Sequence, residues 1–331
     1  MKIGIIGIGG RTGTMLFHEL KNFAQVFGIG KKEELEKIKE KKLFVEKDGK
    51  KEIVEGNFIE EKDFPGDIDF DFLFLTVKNP VAPALKYYYQ KIKEKNLKPP
   101  ILFLSQNGIE AGEDALFALK EIFGKRLNEI SIFRISLFNP VDKKTLNDTN
   151  FIVYSLPIKM AMAKFFGNAN EKEIFHFFKQ TNLEISFFSQ KEVKNMEYSK
   201  LFLNLIGMAC ATHRLSLKEG FLKKEIFLEE VLAAKEYIKV VKKAGGKFLN
   251  FKGYPVFTFS LFLSLPVFLL LPFRKILVNQ IEKGRKGKPK DLNEIEYYNG
   301  AVVKLGEKLG INTEVNKKIL ERAKCILKAL E

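Results

Sequence analysis

Residues 2–20 of this 331-residue chain, KIGIIGIGGRTGTMLFHEL, carry the strongest indication of its fold. A short β-branched run leads into a glycine-rich loop, and a helical pattern follows the loop. A strand, a glycine-rich loop and a helix in this order can bind a pyrophosphate. The glycines let the backbone approach it closely, and the helix N-terminus favours an anion. We therefore predict that the loop binds a dinucleotide. The predicted contacts are Gly7, Gly9, Gly10, Thr12 and Gly13.

The spacing of these glycines departs from the usual fingerprint. In the pattern G-x-G-x-x-G the third glycine would fall on Thr12, whereas Gly13 comes one residue later. The position of the loop between a predicted strand and a predicted helix is nevertheless the context that a dinucleotide site requires. The alternative is a glycine turn that binds no ligand.

The end of the second predicted strand, QVFGIG, indicates which dinucleotide is bound. NAD sites usually place an acidic residue there to hold the ribose 2′-hydroxyl. This chain continues with Lys31 and Lys32, and we expect Glu33 and Glu34 to lie in the next helix. A lysine pair suits a 2′-phosphate, which a carboxylate would repel. We therefore predict NADP(H) as the cofactor, with Lys31 and Lys32 as contacts; the alternative is that these lysines only begin a solvated helix.

Strands and helices alternate through the first part of the chain. Apolar strands are predicted within residues 69–77, 99–108 and 129–138, with amphipathic helices at 81–95 and 113–124. This alternation predicts a parallel, doubly wound sheet of the Rossmann type, covered on both faces. After about residue 190 only helical periodicity is evident. The prediction is an α/β fold with an NADP-binding domain over 1–190 and an all-α substrate and catalytic domain over 191–331.

The net charge of +15 does not by itself indicate a nucleic-acid partner. Residues 31–42 mix both signs at helical spacing, as exposed helix faces do, and no basic patch with stacking aromatics is evident. The two cysteines, Cys210 and Cys325, are far apart, and three scattered histidines show no ligand spacing. We therefore expect reduced thiols, no metal site and a cytoplasmic protein.

Residues 253–273, GYPVFTFSLFLSLPVFLLLPF, contain no charged side chain. Their hydropathy would suit a membrane span, but Pro255, Pro266 and Pro272 interrupt the helix that a span requires. We expect two short helices, buried in a domain core or at a subunit interface, and no membrane partner. Membrane insertion or docking is the alternative, and a homodimer is a possible assembly.

The stretch EYSKLFLNLIGMACATH, residues 197–213, is predicted to form one buried helix. Lys200 and Asn204 are four residues apart and therefore share a face of that helix. A lysine and an amide on an otherwise apolar helix cost desolvation free energy unless polar groups meet them. The pair is therefore a candidate site.

The order of motifs along the chain resembles ketopantoate reductase, or 2-dehydropantoate 2-reductase. The motifs are the G-x-G loop, TVK, QNG, KLFLN and EIEYYNGAVVKLGEKLGI. The resemblance implies that Lys200 is the catalytic lysine, that Asn204 and Asn107 bind substrate, with Asn107 also near the nicotinamide, and that Lys78 lines the same site for cofactor and substrate. It also implies that Glu294 is the catalytic-site glutamate of the helical domain.

The chemistry of ketone reduction supports these roles. Hydride transfer builds negative charge on the carbonyl oxygen, which needs a proton donor and oriented dipoles. Lys200 can supply the proton, the asparagines can fix the substrate, and Glu294 can hold the lysine or a substrate hydroxyl. The predicted function is NADPH-dependent reduction of a 2-oxo acid, with ketopantoate to pantoate, a step of pantothenate biosynthesis, as the first choice. The alternatives are another 2-oxo acid, an imine as in opine-type dehydrogenases, or a non-catalytic NADP-binding protein.

Two positions depart from the pattern of that family. A second asparagine commonly follows the first by four residues, and here this position is Met208. The family's substrate-binding serine has no clear counterpart, since counting back from the glutamate reaches Ile276 or Glu282. A substrate carboxylate could instead be held by a cation. The candidates are Arg274, Arg285 and Lys288.

Overall fold

The computed structural model describes residues 1–281 and 287–329. Clustering of the backbone separates two compact units. One comprises Met1–Gln106 and Glu110–Val193, and the other comprises Asn107–Ile109 and Lys194–Glu331. The assignment of cofactor binding to residues 1–190 and of catalysis to residues 191–331 remains a prediction.

The first unit contains a mixed α/β fold built on two sheets. Its strands are β1 (Lys2–Ile6), β2 (Gln25–Gly30), β3 (Leu43–Lys47), β4 (Lys50–Ile53), β5 (Asn57–Glu60), β6 (Phe72–Leu75), β7 (Ile101–Leu104), β8 (Ile132–Leu137), β9 (Asp142–Leu146), β10 (Thr149–Tyr154), β11 (Ile158–Phe166) and β12 (Leu183–Phe188). Its helices are α1 (Arg11–Leu20), α2 (Lys32–Lys39), α3 (Ala82–Glu94), α4 (Ala111–Phe123) and α5 (Glu171–Lys179).

The large sheet has the strand order β12-β11-β8-β7-β6-β1-β2-β5. Its neighbouring strands run parallel, except that β11 is antiparallel to β8. The six strands from β5 to β8 follow the order of a doubly wound dinucleotide-binding sheet, with the reversal beside β1. The predicted fold class is therefore confirmed.

Both faces of the large sheet are buried, which explains its continuous apolar strands. Along β6, Phe72 and Phe74 belong to one hydrophobic cluster, whereas Leu73 and Leu75 belong to the cluster on the other face. The rings of Phe74 and Phe103 stack across β6 and β7 with centroids 4.6 Å apart. The strands thus form a rigid base for the loops that follow their carboxyl ends.

A small second sheet, of order β4-β3-β10-β9, completes the first unit. Two tight hairpins form it, one with Asp48 (φ 48°) and Gly49 (φ 82°) at its turn and one with Asn147 (φ 47°) and Asp148 (φ 61°). Two successive residues with positive φ are typical of a type I′ turn, which matches the twist of the flanking strands. This sheet carries one residue, in β9, that reaches the glycine loop.

In the described part of the second unit, the regular secondary structure is helical, apart from an isolated bridge between Phe251 and Tyr254. Its helices are α6 (Val193–Leu205), α7 (Met208–Thr212), α8 (Leu217–Leu222), α9 (Lys224–Lys243), α10 (Val256–Ser264), α11 (Val267–Leu270), α12 (Arg274–Ile281), α13 (Asn299–Leu309) and α14 (Glu314–Lys328). The long helix α9 buries much of its surface, and its Tyr237 hydroxyl donates to the Tyr198 carbonyl of α6 at 3.0 Å.

The expected single helix over residues 197–213 is wrong, because the helix breaks. Helix α6 ends at Leu205, and Gly207 adopts a left-handed conformation (φ 91°) before α7 begins at Met208. A positive φ costs glycine little and other residues more, so Gly207 is where the chain can turn. Asn204 and Met208 therefore lie on two different helices.

The charge-free segment forms short helices, as the prolines indicated. Helix α10 ends before Pro266, α11 follows it, and a 3₁₀ turn at Leu271–Phe273 leads into α12. None of the helices in the described residues combines the length and the apolar character needed to cross a bilayer. Much of this segment is exposed.

Candidate functional site

The glycine loop makes a tight turn at the end of β1. Gly7 has φ +90° and its amide donates to the Ile29 carbonyl of β2 at 2.9 Å. The Gly10 amide then donates back to the Gly7 carbonyl at 3.0 Å. Gly10 is the N-cap of α1, so the helix starts directly above the loop.

Gly13 has the role of the third glycine despite its late position. A Cβ at residue 13 would lie 2.2 Å from the Gly7 carbonyl oxygen and 2.7 Å from Thr76 Oγ1. Only a glycine therefore lets α1 approach the strands this closely. Thr12 lies half-buried in the first turn of the helix, where the usual fingerprint would have placed that glycine.

The N-terminus of α1 suits a phosphate. No side chain caps it within the described residues, and its first turn contains no acidic residue. The first amides of a helix have no partner inside the helix, and the helix dipole adds positive potential there. The predicted glycine residues and Thr12 thus lie together in an arrangement that can hold a pyrophosphate.

The end of β2 presents charges of both signs. Lys31 is the exposed N-cap of α2 and Lys32 its exposed first residue, and their contact with a cofactor remains a prediction. Glu34 lies in α2, but its carboxylate turns back and accepts from the Lys31 amide at 3.2 Å. A Cβ on Gly9 would come within 2.6 Å of that carboxylate. Only cations were expected at the end of β2, so the position of Glu34 corrects that expectation.

Lys143 is a further cation at the glycine loop that the sequence analysis missed. It lies on β9, and its Nζ donates to the Gly9 carbonyl at 3.3 Å. The two partners are 134 residues apart in the sequence, so no local pattern could have revealed the contact. Lys143 adds an exposed positive charge where a cofactor phosphate would bind.

Gly13→Ala tests the close packing of the loop. A methyl group at this position meets the Gly7 backbone carbonyl, which cannot rotate away, and overpacking of this kind costs about 1–3 kcal/mol. We expect the free energy of unfolding to fall by that amount in urea titrations, with weaker cofactor binding. Gly10→Ala is the matched control, since its Cβ would come no closer than 3.2 Å to the Gly7 oxygen. Equal stability of the two variants would contradict the argument.

The second unit contains a row of hydrogen-bonded polar side chains. The Asn204 amide nitrogen donates to Asn107 Oδ1 at 3.1 Å, and the Asn107 amide nitrogen donates to Glu294 Oε2 at 3.0 Å. The Tyr298 hydroxyl donates to the same Glu294 oxygen at 2.8 Å. We call Asn204, Asn107, Glu294 and Tyr298 the polar row. Three of its four members were predicted site residues.

The loop that carries Asn107 is held on both sides. Lys194 Nζ of α6 donates to the Ile109 carbonyl at 3.1 Å. Gly108 has φ +95°, and a Cβ there would lie 3.2 Å from the Tyr297 carbonyl oxygen. The loop therefore fits closely between α6 and the segment before α13, and the Asn107 amide is fixed in one direction.

The other predicted residues lie as follows. Lys200 is half-buried on α6, one turn before Asn204. Lys78 is exposed in the first unit, three residues after the end of β6. Tyr298 was missed, although it follows Glu294 by four residues within a segment that the sequence analysis had singled out.

The break between α6 and α7 is held by two charged residues that the sequence analysis also missed. The buried Glu230 carboxylate accepts from the Gly207 amide at 3.1 Å and from the Cys210 amide at 2.9 Å. Burial raises the pKa of Glu230 above its usual range. Lys290 Nζ donates to the carbonyls of Asn204 and Ile206 and lies 5.4 Å from the Tyr298 ring centroid. Together they fix the backbone at Asn204.

The positions that depart from the family pattern have different environments. Met208 is fully buried, whereas Ile276 is 55% exposed. Arg274 is half-buried and Lys288 exposed. Glu282 and Arg285 lie outside the described residues.

A doubly wound sheet with a glycine loop, followed along the chain by a helical unit with a polar row, is an arrangement that nucleotide-dependent oxidoreductases use. Residues 3–127 match the family model described as ketopantoate reductase PanE/ApbA. Residues 3–127 are thus similar to the ketopantoate reductase family, which confirms the resemblance seen in the motifs. A sequence search of curated proteins finds no significant match.

Solved structures share the fold over the whole chain. A PanE/ApbA family ketopantoate reductase from Ralstonia eutropha JMP134 has a TM-score of 0.72 at 14% identity, covering 98% of both chains. D-mandelate dehydrogenase with NADH and anilino(oxo)acetate has a TM-score of 0.71 at 18% identity, covering 100% of this chain and 99% of its own. The probable 2-dehydropantoate 2-reductase panE from Bacillus subtilis has a TM-score of 0.67 at 17% identity, covering 98% and 99%.

Proposed function

We propose that this protein is an NADPH-dependent reductase of a 2-oxo acid, with ketopantoate as the first substrate to test. The polar row, one helical turn from Lys200, is the observation that carries the proposal. The family match of residues 3–127 supports a reductase, and structural neighbours that include an NADH complex support a nicotinamide cofactor.

The residues of the first unit fit such a cofactor. The glycine loop and the first amides of α1 would hold the pyrophosphate. Lys31, Lys32 and Lys143 would attract a 2′-phosphate, while the Glu34 carboxylate would oppose it. A reduced nicotinamide, when bound, supplies hydride to a carbonyl carbon.

The residues of the second unit fit the other half of the reaction. Lys200 donates a proton to the carbonyl oxygen and, while charged, stabilises the negative charge that develops there. The Asn204 amide has two N–H donors, of which one goes to Asn107 and the second would orient the substrate. Glu294 fixes Asn107 and thereby the direction of the row.

A panel of substrates tests the proposal. NADPH oxidation is followed with ketopantoate, with aromatic and branched 2-oxo acids, and with a 2-oxo acid plus an amine. Ketopantoate turnover supports the first choice. The D-mandelate dehydrogenase fold neighbour motivates the aromatic acids, and turnover that depends on the amine indicates an imine reductase. Absence of substrate-dependent oxidation across the panel would leave the non-catalytic alternative.

Lys31→Asp tests the choice of cofactor. Replacing a cation by an anion at the end of β2 should weaken NADPH binding far more than NADH binding, because only NADPH carries the 2′-phosphate. Fluorescence titration of both reduced cofactors measures this directly. Lys39→Asp, at the far end of α2, is the control for net charge.

Glu34→Gln completes the cofactor experiment. Removing the carboxylate beside Gly9 should strengthen NADPH binding, because its repulsion of the 2′-phosphate is lost. A wild-type protein that prefers NADH, and that binds NADH less tightly after Glu34→Gln, would show that Glu34 holds a ribose hydroxyl and that the NADPH assignment is wrong.

A further inference from the structure

Arg274, the first residue of α12, is a half-buried arginine whose charge is not neutralised. Its Nε atom is buried, and within the described residues its guanidinium has neither a hydrogen bond nor an ion pair. A cation that is partly removed from water costs free energy unless an anion or hydrogen-bond acceptors replace the lost hydration. The Arg274 side chain is therefore a candidate anion-binding group.

The other arginines in the described part of the chain are either exposed to water or paired. Two form ion pairs with glutamates, and the fully buried one donates to two backbone carbonyls. The exposed arginines are Arg11 and Arg214, the ion-paired ones are Arg126 and Arg322, and the buried one is Arg134. Arg274 thus differs from the arginines that have a structural partner.

Acidic side chains near α12 do not neutralise Arg274. Residues 237–281 contain seven basic side chains and no acidic one. Helix α12 packs against α8, whose acidic residue is Glu219. The Glu219 carboxylate accepts from the amide and the hydroxyl of Ser216 at 2.8 and 2.7 Å, and so caps its own helix. An incoming anion would therefore meet a local excess of positive charge.

Helix α12 packs beside the two segments that carry the ends of the polar row. Leu277, one turn after Arg274 on the same face of α12, lines a cavity within the helical unit. The same cavity is lined by Leu205 and Asn299, which directly follow the first and the last members of the polar row. Arg274 therefore shares the face of α12 that packs toward these segments.

We propose that Arg274 binds the carboxylate of the 2-oxo acid substrate. This inference rests on the proposed function and assigns the acid group of the substrate to a residue of its own. Nε and one Nη of a guanidinium donate in parallel and match the two oxygens of a carboxylate. Of the other cations considered for this role, Lys288 is exposed and Arg285 lies outside the described residues.

This assignment defines which carbonyl compounds the site accepts. Arg274 holds the acid group, which leaves Lys200 and Asn204 for the carbonyl group of the substrate. A neutral ester or amide of the same 2-oxo acid leaves the guanidinium without an anion. A site with an unpaired buried polar group rejects such an analogue strongly. The substrate class is therefore free 2-oxo acids, and neutral ketones of the same size are excluded.

Arg274→Gln tests the assignment, with the best 2-oxo acid of the panel and its methyl ester as substrates. KM for the acid should rise about 10- to 100-fold, because charged hydrogen bonds are lost. The value of kcat should change little, since the carboxylate is bound in the ground state and the transition state alike. Kinetics with the ester should stay as in the wild type. Lys275→Gln, at the exposed neighbouring residue, is the control for the same change of charge.

Binding of oxamate, an unreactive 2-oxo acid analogue, separates this proposal from the proposed reaction. Calorimetry with and without NADPH should show that the wild type and Lys275→Gln bind oxamate but not the neutral oxamide. Arg274→Gln should lose oxamate binding. If the wild type reduces no 2-oxo acid of the panel but binds oxamate through Arg274, the anion site is supported and the proposed reaction is contradicted.

Circular dichroism checks that Arg274→Gln folds, and Arg274→Lys replaces it if it does not. Lysine keeps the charge without the paired donors, so KM for the acid alone should rise by a smaller factor. A folded Arg274→Gln with wild-type KM for the acid and wild-type oxamate binding overturns the proposal. An equal loss with the acid and the ester also overturns it, since the role would then be structural. A wild type that neither reduces a 2-oxo acid nor binds oxamate overturns it as well.

Discussion

Lys200→Ala should lower kcat by about 10²- to 10⁴-fold, the usual contribution of general acid catalysis. NADPH affinity should change little, because the proposed contacts to the phosphates of the cofactor belong to the first unit and Lys200 belongs to the second. Steady-state kinetics with the best substrate of the panel, together with fluorescence titration of NADPH, measure the two effects separately. The loss should appear in kcat and kcat/KM alike, because the proton is needed only in the transition state.

Lys200→Arg and Lys78→Ala complete this experiment. Arginine keeps the positive charge but does not release a proton near neutral pH, so Lys200→Arg should remain slow if proton donation is the role of the lysine. Lys78→Ala removes the other candidate lysine. An unchanged kcat in Lys200→Ala would move the general acid elsewhere, and a large loss in Lys78→Ala would then identify it.

Glu294→Ala should produce the second large loss. The Glu294 carboxylate accepts from both Asn107 and Tyr298, and hydrogen bonds to a charged group contribute about 1.5–3 kcal/mol each. Losing the alignment of Asn107 should therefore lower kcat/KM by roughly 10- to 100-fold or more. If Glu294 contacts the substrate, KM should rise as kcat falls, whereas a purely orienting role should lower kcat mainly.

Tyr298→Phe is the matched variant for Glu294. It removes one of the two donors to the carboxylate and leaves the ring against Lys290 in place. We expect a smaller loss than in Glu294→Ala, with stability close to wild type. A Glu294→Ala enzyme as active as the wild type would show that the carboxylate is not needed in the row.

Much of the fold could be predicted because its determinants are local. The glycines after β1 and the fully apolar strands indicate a doubly wound sheet from short stretches of sequence. Two hairpin turns of the small sheet, at Asp48-Gly49 and Asn147-Asp148, also carry local signals of the type I′ turn. The role of Gly13 could not be predicted from its late position in the loop, because that role depends on its close approach to the Gly7 carbonyl.

The remainder of the candidate site depends on contacts distant in sequence. Glu34 was expected only to lie in the helix after β2, and the structure shows that its carboxylate also turns back toward Gly9. The break between α6 and α7 is held by two contacts distant in sequence. Glu230 is 23 residues from its partner Gly207, and Lys290 is 86 residues from its partner Asn204. The family resemblance supplied Asn107 and Glu294, while their hydrogen bond across 187 residues could not be derived from spacing.

The break at Gly207 also separates position 208 from the polar row. Asn204 lies in the last turn of α6 and Met208 begins α7, so a replacement at position 208 should leave the direction of the Asn204 amide unchanged. Met208 is fully buried, so an asparagine there would need hydrogen-bonding partners inside the helical core. The residue at position 208 therefore contributes to packing of the helical core. The backbone around Asn204 is held separately, by the hydrogen bonds of Glu230 and Lys290.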